Sequence, residues 1–243
     1  MSDGIQNIVW SDLALMLLPV GVVMAIFWYW SLGIGGALYA LGRMLLQLTL
    51  IGYILVAIFQ TESAWVVLGV LLVMLFFSGW IALRTVPDKR ISLMFYALGA
   101  IFVGGGVTLI FVAQGVLHLE PWYLPQYMIP LAGMVFANAM NSVSLAAERY
   151  YSELSEGLDM IAARNKAMQA AMIPVINALF AVGLVSLPGM MTGQILSGVS
   201  PLIAARYQIM VMLMIFSAAG ISTALFLYGI SSAKWNGTKG SLK

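Results

Sequence analysis

The stretch Trp65-Val-Val-Leu-Gly-Val-Leu-Leu-Val-Met-Leu-Phe-Phe-Ser-Gly-Trp-Ile-Ala-Leu83, followed at once by Arg84-Thr-Val-Pro-Asp-Lys89-Arg90, decides the class of this protein. Nineteen residues pass without a charge. As an α-helix rising ~1.5 Å per residue they nearly match the ~30 Å of hydrocarbon in a bilayer. The same alternation of apolar run and polar end recurs along all 243 residues. It predicts spans at about 12–31, 37–59, 65–83, 91–113, 126–147, 172–196 and 203–228. Composition points the same way: 62% of residues are hydrophobic and 8% charged, against roughly 25% charged in soluble domains. The expected fold is all-α: a polytopic membrane protein with about seven transmembrane helices. They form one membrane domain over 1–230, with a short cytoplasmic tail over 231–243 that reads as mostly disordered.

Several classes are excluded. A soluble enzyme, a secreted disulfide scaffold and a nucleic-acid binder do not fit this composition, and the chain has no Cys. A β-barrel would show shorter, alternating segments. The first apolar run follows Asp3 and Asp12 rather than Lys or Arg, so it reads as a span and not as a cleaved leader.

Lys and Arg set the expected orientation. The loop of Arg84, Lys89 and Arg90, the stretch with Arg149, Arg164 and Lys166, and the tail lysines Lys234, Lys239 and Lys243 fall on one side of a seven-span chain. The positive-inside rule makes that side cytoplasmic, with the N-terminus outside and the C-terminus inside. Only Arg206 falls opposite. The expected location is the cell (inner) membrane.

Polar residues within spans are the candidates for chemistry, because hydrocarbon leaves them no water. Arg43 and Gln47, four apart, share a face of the second span. Arg43 either marks a cargo path or snorkels to the interface. Met134, Asn138 and Asn141 form one stripe in the fifth span. Their carboxamides either join helices or, with the thioether, line a path for a partly dehydrated cation. Asn177 and the run Leu187-Pro-Gly-Met-Met-Thr-Gly193-Gln194 lie in the sixth span. Pro188 and Gly189 there interrupt the helical ladder and free carbonyls beside Met190 and Gln194, which survives at membrane depth only against protein or a cavity. Gly104-Gly-Gly106 reads as a close helix contact rather than a phosphate loop. The 17 Met residues are mostly packing, and His118 lies in an external loop. No P-loop motif and no Ser-His-Asp set occur, so no catalytic residue is expected and no cofactor in this chain.

The longest polar stretch, 148–169, is expected to be an amphipathic cytoplasmic helix. Tyr150, Leu154, Leu158 and Ile161 recur on one side, with Glu148, Ser152, Glu156 and Asp159 over much of the rest. This stripe either docks a partner or belongs to a solvated connector.

Four stretches together resemble one family. They are Gly42-Arg-Met-Leu-Leu-Gln-Leu-Thr-Leu-Ile-Gly-Tyr53, Ile129-Pro-Leu-Ala-Gly-Met-Val-Phe-Ala-Asn-Ala-Met140, Val182-Gly-Leu-Val-Ser-Leu-Pro-Gly-Met-Met-Thr-Gly193 and Tyr207-Gln-Ile-Met-Val211. They are similar to the FetB-type permeases of ABC transporters, which include bacterial iron-export and plant aluminium-tolerance permeases. The resemblance implies a permease paired with a separate cytoplasmic ATP-binding subunit that holds ATP and Mg, two copies of each. It implies export of iron or another metal ion, or, as in related plant members, movement of a nucleotide sugar. A membrane scaffold subunit without transport is a further alternative. One departure stands out: Ile161-Ala-Ala-Arg-Asn-Lys-Ala-Met-Gln-Ala-Ala-Met-Ile-Pro174 runs straight into the sixth span, where the family carries a longer segment with a Gly-Ala turn.

Overall fold

A computed structural model describes residues 8–240, with side chains to Ser232. The chain divides into two compact units at Thr61.

The first unit holds α1 (Trp10–Leu15), α2 (Leu17–Tyr29) and α3 (Ile34–Phe59). The turn Trp30–Gly33 between α2 and α3 places Ser31 at φ 55°. Apolar residues cover these helices all round, and none of their described side chains is buried. That is the pattern of helices whose surroundings are themselves apolar.

The second unit holds α4 (Ala64–Ala82), α5 (Arg90–Ile110), α6 (Pro125–Ser155), α7 (Met160–Ala181), α8 (Gly189–Leu196) and α9 (Pro201–Gly240). Two 3-10 turns, Leu83–Thr85 and Pro87–Lys89, join α4 to α5, and a π-turn, Phe111–Val116, closes α5. Its core lies where α5, α6 and α9 meet, with Ile101, Val135, Ala139, Val143, Met214 and Phe226 all buried. Gly104 and Gly105 make that meeting possible. A Cβ on Gly104 would stand 2.6 Å from the backbone nitrogen of Ser222 on α9, and one on Gly105 2.9 Å from Val135 Cγ1 on α6. Helix α7 closes on its neighbours through a second small-residue stripe, Ala163, Ala167 and Ala171, each fully buried. Large apolar side chains point outward, Phe95 at 86% exposure among them. This inverts a soluble protein and suits a lipid surround.

The all-α polytopic fold is as expected. Among the described residues six helices are both long and apolar enough to cross a membrane, and α7, at 22 residues, is long enough but less apolar. The predicted span over 172–196 is interrupted: α7 stops at Ala181 and α8 starts at Gly189. Between them Gly183, at φ 83°, donates from its N–H to Ser186 O (2.9 Å), and the N–H groups of Leu184, Val185 and Ser186 turn back to Ala181 O. Pro188 then sits at the N-cap of α8, where its missing N–H costs nothing. The Pro-Gly pair therefore begins a helix instead of breaking one. Its carbonyl is not free, since the Thr192 hydroxyl (2.7 Å) and Thr192 N–H (3.0 Å) both donate to Pro188 O.

The single amphipathic helix predicted over 148–169 is two helices and a turn. Helix α6 ends at Ser155, Gly157 reverses the chain at φ 90°, and Asp159 caps α7 by accepting from Ile161 N (2.8 Å) and Ala162 N (3.0 Å). The last helix continues to Gly240, through the stretch read as a tail.

Gly104→Ala is expected to lower unfolding stability in detergent by about 1–3 kcal/mol through overpacking against backbone. Gly106→Ala, whose added Cβ meets nothing within 4 Å, is expected to show no such loss.

Candidate functional site

The helix interruption is the first element of the site. Leu179, Val182 and Leu187, Met191 on α8, and Gln208 and Met212 on α9 border a cavity of about 350 Å³. Gln208 and Met212, four apart on α9, share a face. Gln208 is 6% exposed, and its Oε1 has no hydrogen-bond partner; Gln194 Oε1 on α8 is likewise buried and unpartnered. Buried amide oxygens normally find a donor; Gln208 borders the cavity, whose wall is otherwise apolar, and Gln194 lies near the break but outside that lining. The residues foreseen around the break take distinct positions. Pro188 caps α8, Gly189 is exposed, Met190 packs against the main core and Gln194 turns inward.

The other foreseen residues do not converge here. On α6, Asn138 Nδ2 donates to Met134 O of its own helix at 2.8 Å, so half of that carboxamide is spent locally. Met134 and Asn138 are half-buried, while Asn141 and, on α7, Asn177 are exposed. No hydrogen bond joins Asn138, Asn141 or Asn177 to one another or to α8 among the described residues. In the first unit Arg43 and Gln47 pair along α3. With the carboxamide oriented to satisfy both, Gln47 accepts from Arg43 Nε (3.1 Å) and Nη2 (3.3 Å).

A second cluster lies at the end of α6. Glu153 is 1% exposed and pairs with both Arg149, one turn back, and Lys166 on α7, whose Nζ lies at 2.9 Å. Next to it Tyr150 is fully buried, its hydroxyl without a partner. The basic loop is fastened to the bundle: Arg90 stacks 3.6 Å over the Trp80 ring and donates to Trp80 O (2.6 Å), and Lys89 lies 4.0 Å over the Tyr151 ring. These cations gather at one end of the second unit.

The foreseen docking stripe is divided by the same packing. Tyr150 is core, Leu154 and Leu158 are half-buried, and Ile161 stands 64% exposed just beyond the Asp159 cap. Sequence reading missed Gln208 and Glu153. A lone carboxamide inside the apolar run of α9 was the available signal for Gln208. For Glu153 the only signal was Arg149 one turn back, an ordinary surface pairing; its burial and its second partner, Lys166 on α7, leave no mark in the spacing.

The profile of the Uncharacterised protein family (UPF0014) matches residues 10–164 and 159–234. Its two stretches overlap on the cap and first turn of α7. The UPF0014 membrane protein slr1647 of Synechocystis is 34% identical over 239 residues, covering 92% of each chain. The probable iron export permease protein FetB of Escherichia coli is 35% identical over 241 residues, covering 92% of this chain and 91% of its own. The protein ALUMINUM SENSITIVE 3 of Arabidopsis is 32% identical over 214 residues, covering 80% and 75%. No solved structure matches.

Burying the unpartnered oxygen of Gln208 works against folding. Gln208→Met keeps the side chain's length and removes it, so thermal unfolding in detergent is expected to show equal stability or a gain of up to about 1–3 kcal/mol. Glu153→Gln, which strips Arg149 and Lys166 of their shared charge, is expected to lower stability more than Glu156→Gln in the same assay.

Proposed function

The chain belongs to the UPF0014 family of membrane proteins, and from that premise we propose that it is the membrane-spanning permease subunit of an ABC transporter exporting iron or another metal ion. A separate cytoplasmic subunit binds ATP and Mg and supplies the energy, two copies of each forming the transporter. The observation that carries the reading is the interrupted α7–α8 helix with Gln194 and Gln208 turned inward beside it. Likeness to the E. coli protein over 92% of the chain supports the metal as cargo.

In this reading the cation sheds part of its hydration to carboxamide oxygens at the break, with the thioethers of Met191 and Met212 at the cavity wall. Asn138, Asn141 and Asn177 extend the path along α6 and α7. Alternating access follows when ATP-driven closure of the partner pushes on the α6–α7 turn. Glu153, held from α6 by Arg149 and from α7 by Lys166, makes the two helices move together. The partner docks at that turn, through Ile161 with Leu154 and Leu158 behind it, while Tyr150 supports the contact from within. The cation-bearing end of the second unit faces the cytoplasm.

One observation favours a second reading, an anionic organic cargo. Arg43 is a charged residue well inside a span, and among the described residues no three His, Cys, Asp or Glu side chains are grouped to hold a metal.

Co-expression with the ATP-binding subunit, followed by reconstitution into vesicles, tests the proposal. ATP-dependent iron movement is expected, reduced about tenfold or more by Gln208→Met even though that variant folds as well as the parent. Ile161→Asp is expected to weaken co-purification of the ATP-binding subunit. Movement of an organic anion but not of iron would establish the second reading. Failure of any ATP-binding subunit to co-purify would remove the ABC assignment. A reporter active only in the cytoplasm, fused after Lys243, is expected to give signal.

A further inference from the structure

We propose that the groove between α7 and α9 at the cation-bearing end of the second unit binds the headgroup of an anionic phospholipid. The groove has a volume of about 370 Å³ and is lined by Arg164, Asn165 and Met168 from α7 and by Leu225, Leu227 and Tyr228 from α9. No carboxylate borders it. Arg164 is half-buried and makes no hydrogen bond or ion pair with any described residue, whereas its neighbours Arg149 and Lys166 share Glu153. A guanidinium held at the mouth of a groove with its five donors unspent is a receptor for a phosphate oxygen.

Depth identifies the occupant. Tyr228 lies about 40 Å along α9 from Pro201, which carries it through the ~30 Å hydrocarbon layer and into the headgroup zone beyond. Going inward, Met168 follows Arg164 by one turn of α7, and Leu225 precedes Tyr228 by about one turn of α9. The groove is therefore polar at headgroup depth and apolar beneath it. An acidic side chain of a soluble partner would fill only the mouth. A phosphodiester with acyl chains attached matches both parts, with Asn165 and Tyr228 lining the groove alongside Arg164. This inference is independent of the identity of the cargo.

The test uses full-length protein purified in neutral detergent, offered phosphatidylglycerol or phosphatidylcholine, with retained lipid counted by native mass spectrometry. Preferential retention of phosphatidylglycerol is expected. Arg164→Gln should reduce it about fivefold, the share of one basic side chain at an anionic surface, and Arg164→Lys should keep most of it. Arg84→Gln, on the same end but outside the groove, should change nothing. Should Arg164→Gln fail to fold, Asn165→Ala reads out the same groove and is expected to weaken retention. Equal losses in Arg164→Gln and Arg84→Gln would mean diffuse surface attraction, and no loss in any groove variant would mean an empty groove. Displacement of the lipid by inorganic phosphate alone would mean a small-anion site. Retained lipid with loss of the ATP-binding subunit in Arg164→Gln would give the groove to that partner. Each of these four results overturns the proposal.

Discussion

The second unit depends on the distance of closest approach between α5 and its two neighbours. Gly104 lets α5 meet the backbone of α9 at Ser222, and one residue on, Gly105 receives Val135 and Phe136 of α6. In water such a contact would be one of many that hold a core together. In a bilayer, lipid is as apolar as Leu, and close van der Waals fit is what distinguishes a helix neighbour from the solvent. The buried chains Ile101, Val135, Met214 and Phe226 gather around this crossing. Buried Ser222 and Thr223, with hydroxyls unpartnered beside it, show how little room the contact leaves for anything but backbone.

Much of the architecture was legible because hydrophobic runs of bilayer length have one physical explanation. The runs at 65–83, 91–113, 126–147 and 203–228 all correspond to helices, and Gly104-Gly-Gly106 was read correctly as a packing element at two of its three positions. The interruption at Val182–Pro188 was harder. Pro188 and Gly189 announce irregular backbone, but which side of a proline the helix stops on depends on a turn closed by Gly183 and Ser186, and that turn has no periodic signature. The α6–α7 turn was lost for a related reason. Tyr150, Leu154, Leu158 and Ile161 keep helical spacing across Gly157, so the periodicity runs unbroken through a residue whose positive φ reverses the chain.

The candidate site was legible in kind and less so in position. Of the carboxamides inside spans, Asn138 spends its amide on its own helix, while Gln194 and Gln208, the latter outside every stripe, are the ones left unsatisfied. Hydrogen-bond satisfaction is a three-dimensional property and cannot be read from a residue's neighbours in sequence. Glu153 makes the same point for charge. Its partners are one residue at i−4 and one on the next helix, and only the second makes it structural rather than decorative.

The length of α6 gives the crossing at Gly105 a mechanical meaning. From Phe136, where α6 touches Gly105, the helix runs 19 residues to Ser155 and 11 residues back to Pro125. At ~1.5 Å per residue these are arms of about 28 Å and 17 Å. A rod pivoting at that contact turns a displacement of its long arm into an opposite one of about three fifths the size at its short end. Lys166 couples α7 to the long arm near its tip, so a push there loads two helices at once. Only the turn Glu156–Asp159 separates the tip of α6 from α7, so the two helices are joined there both by backbone and by the Glu153–Lys166 pair.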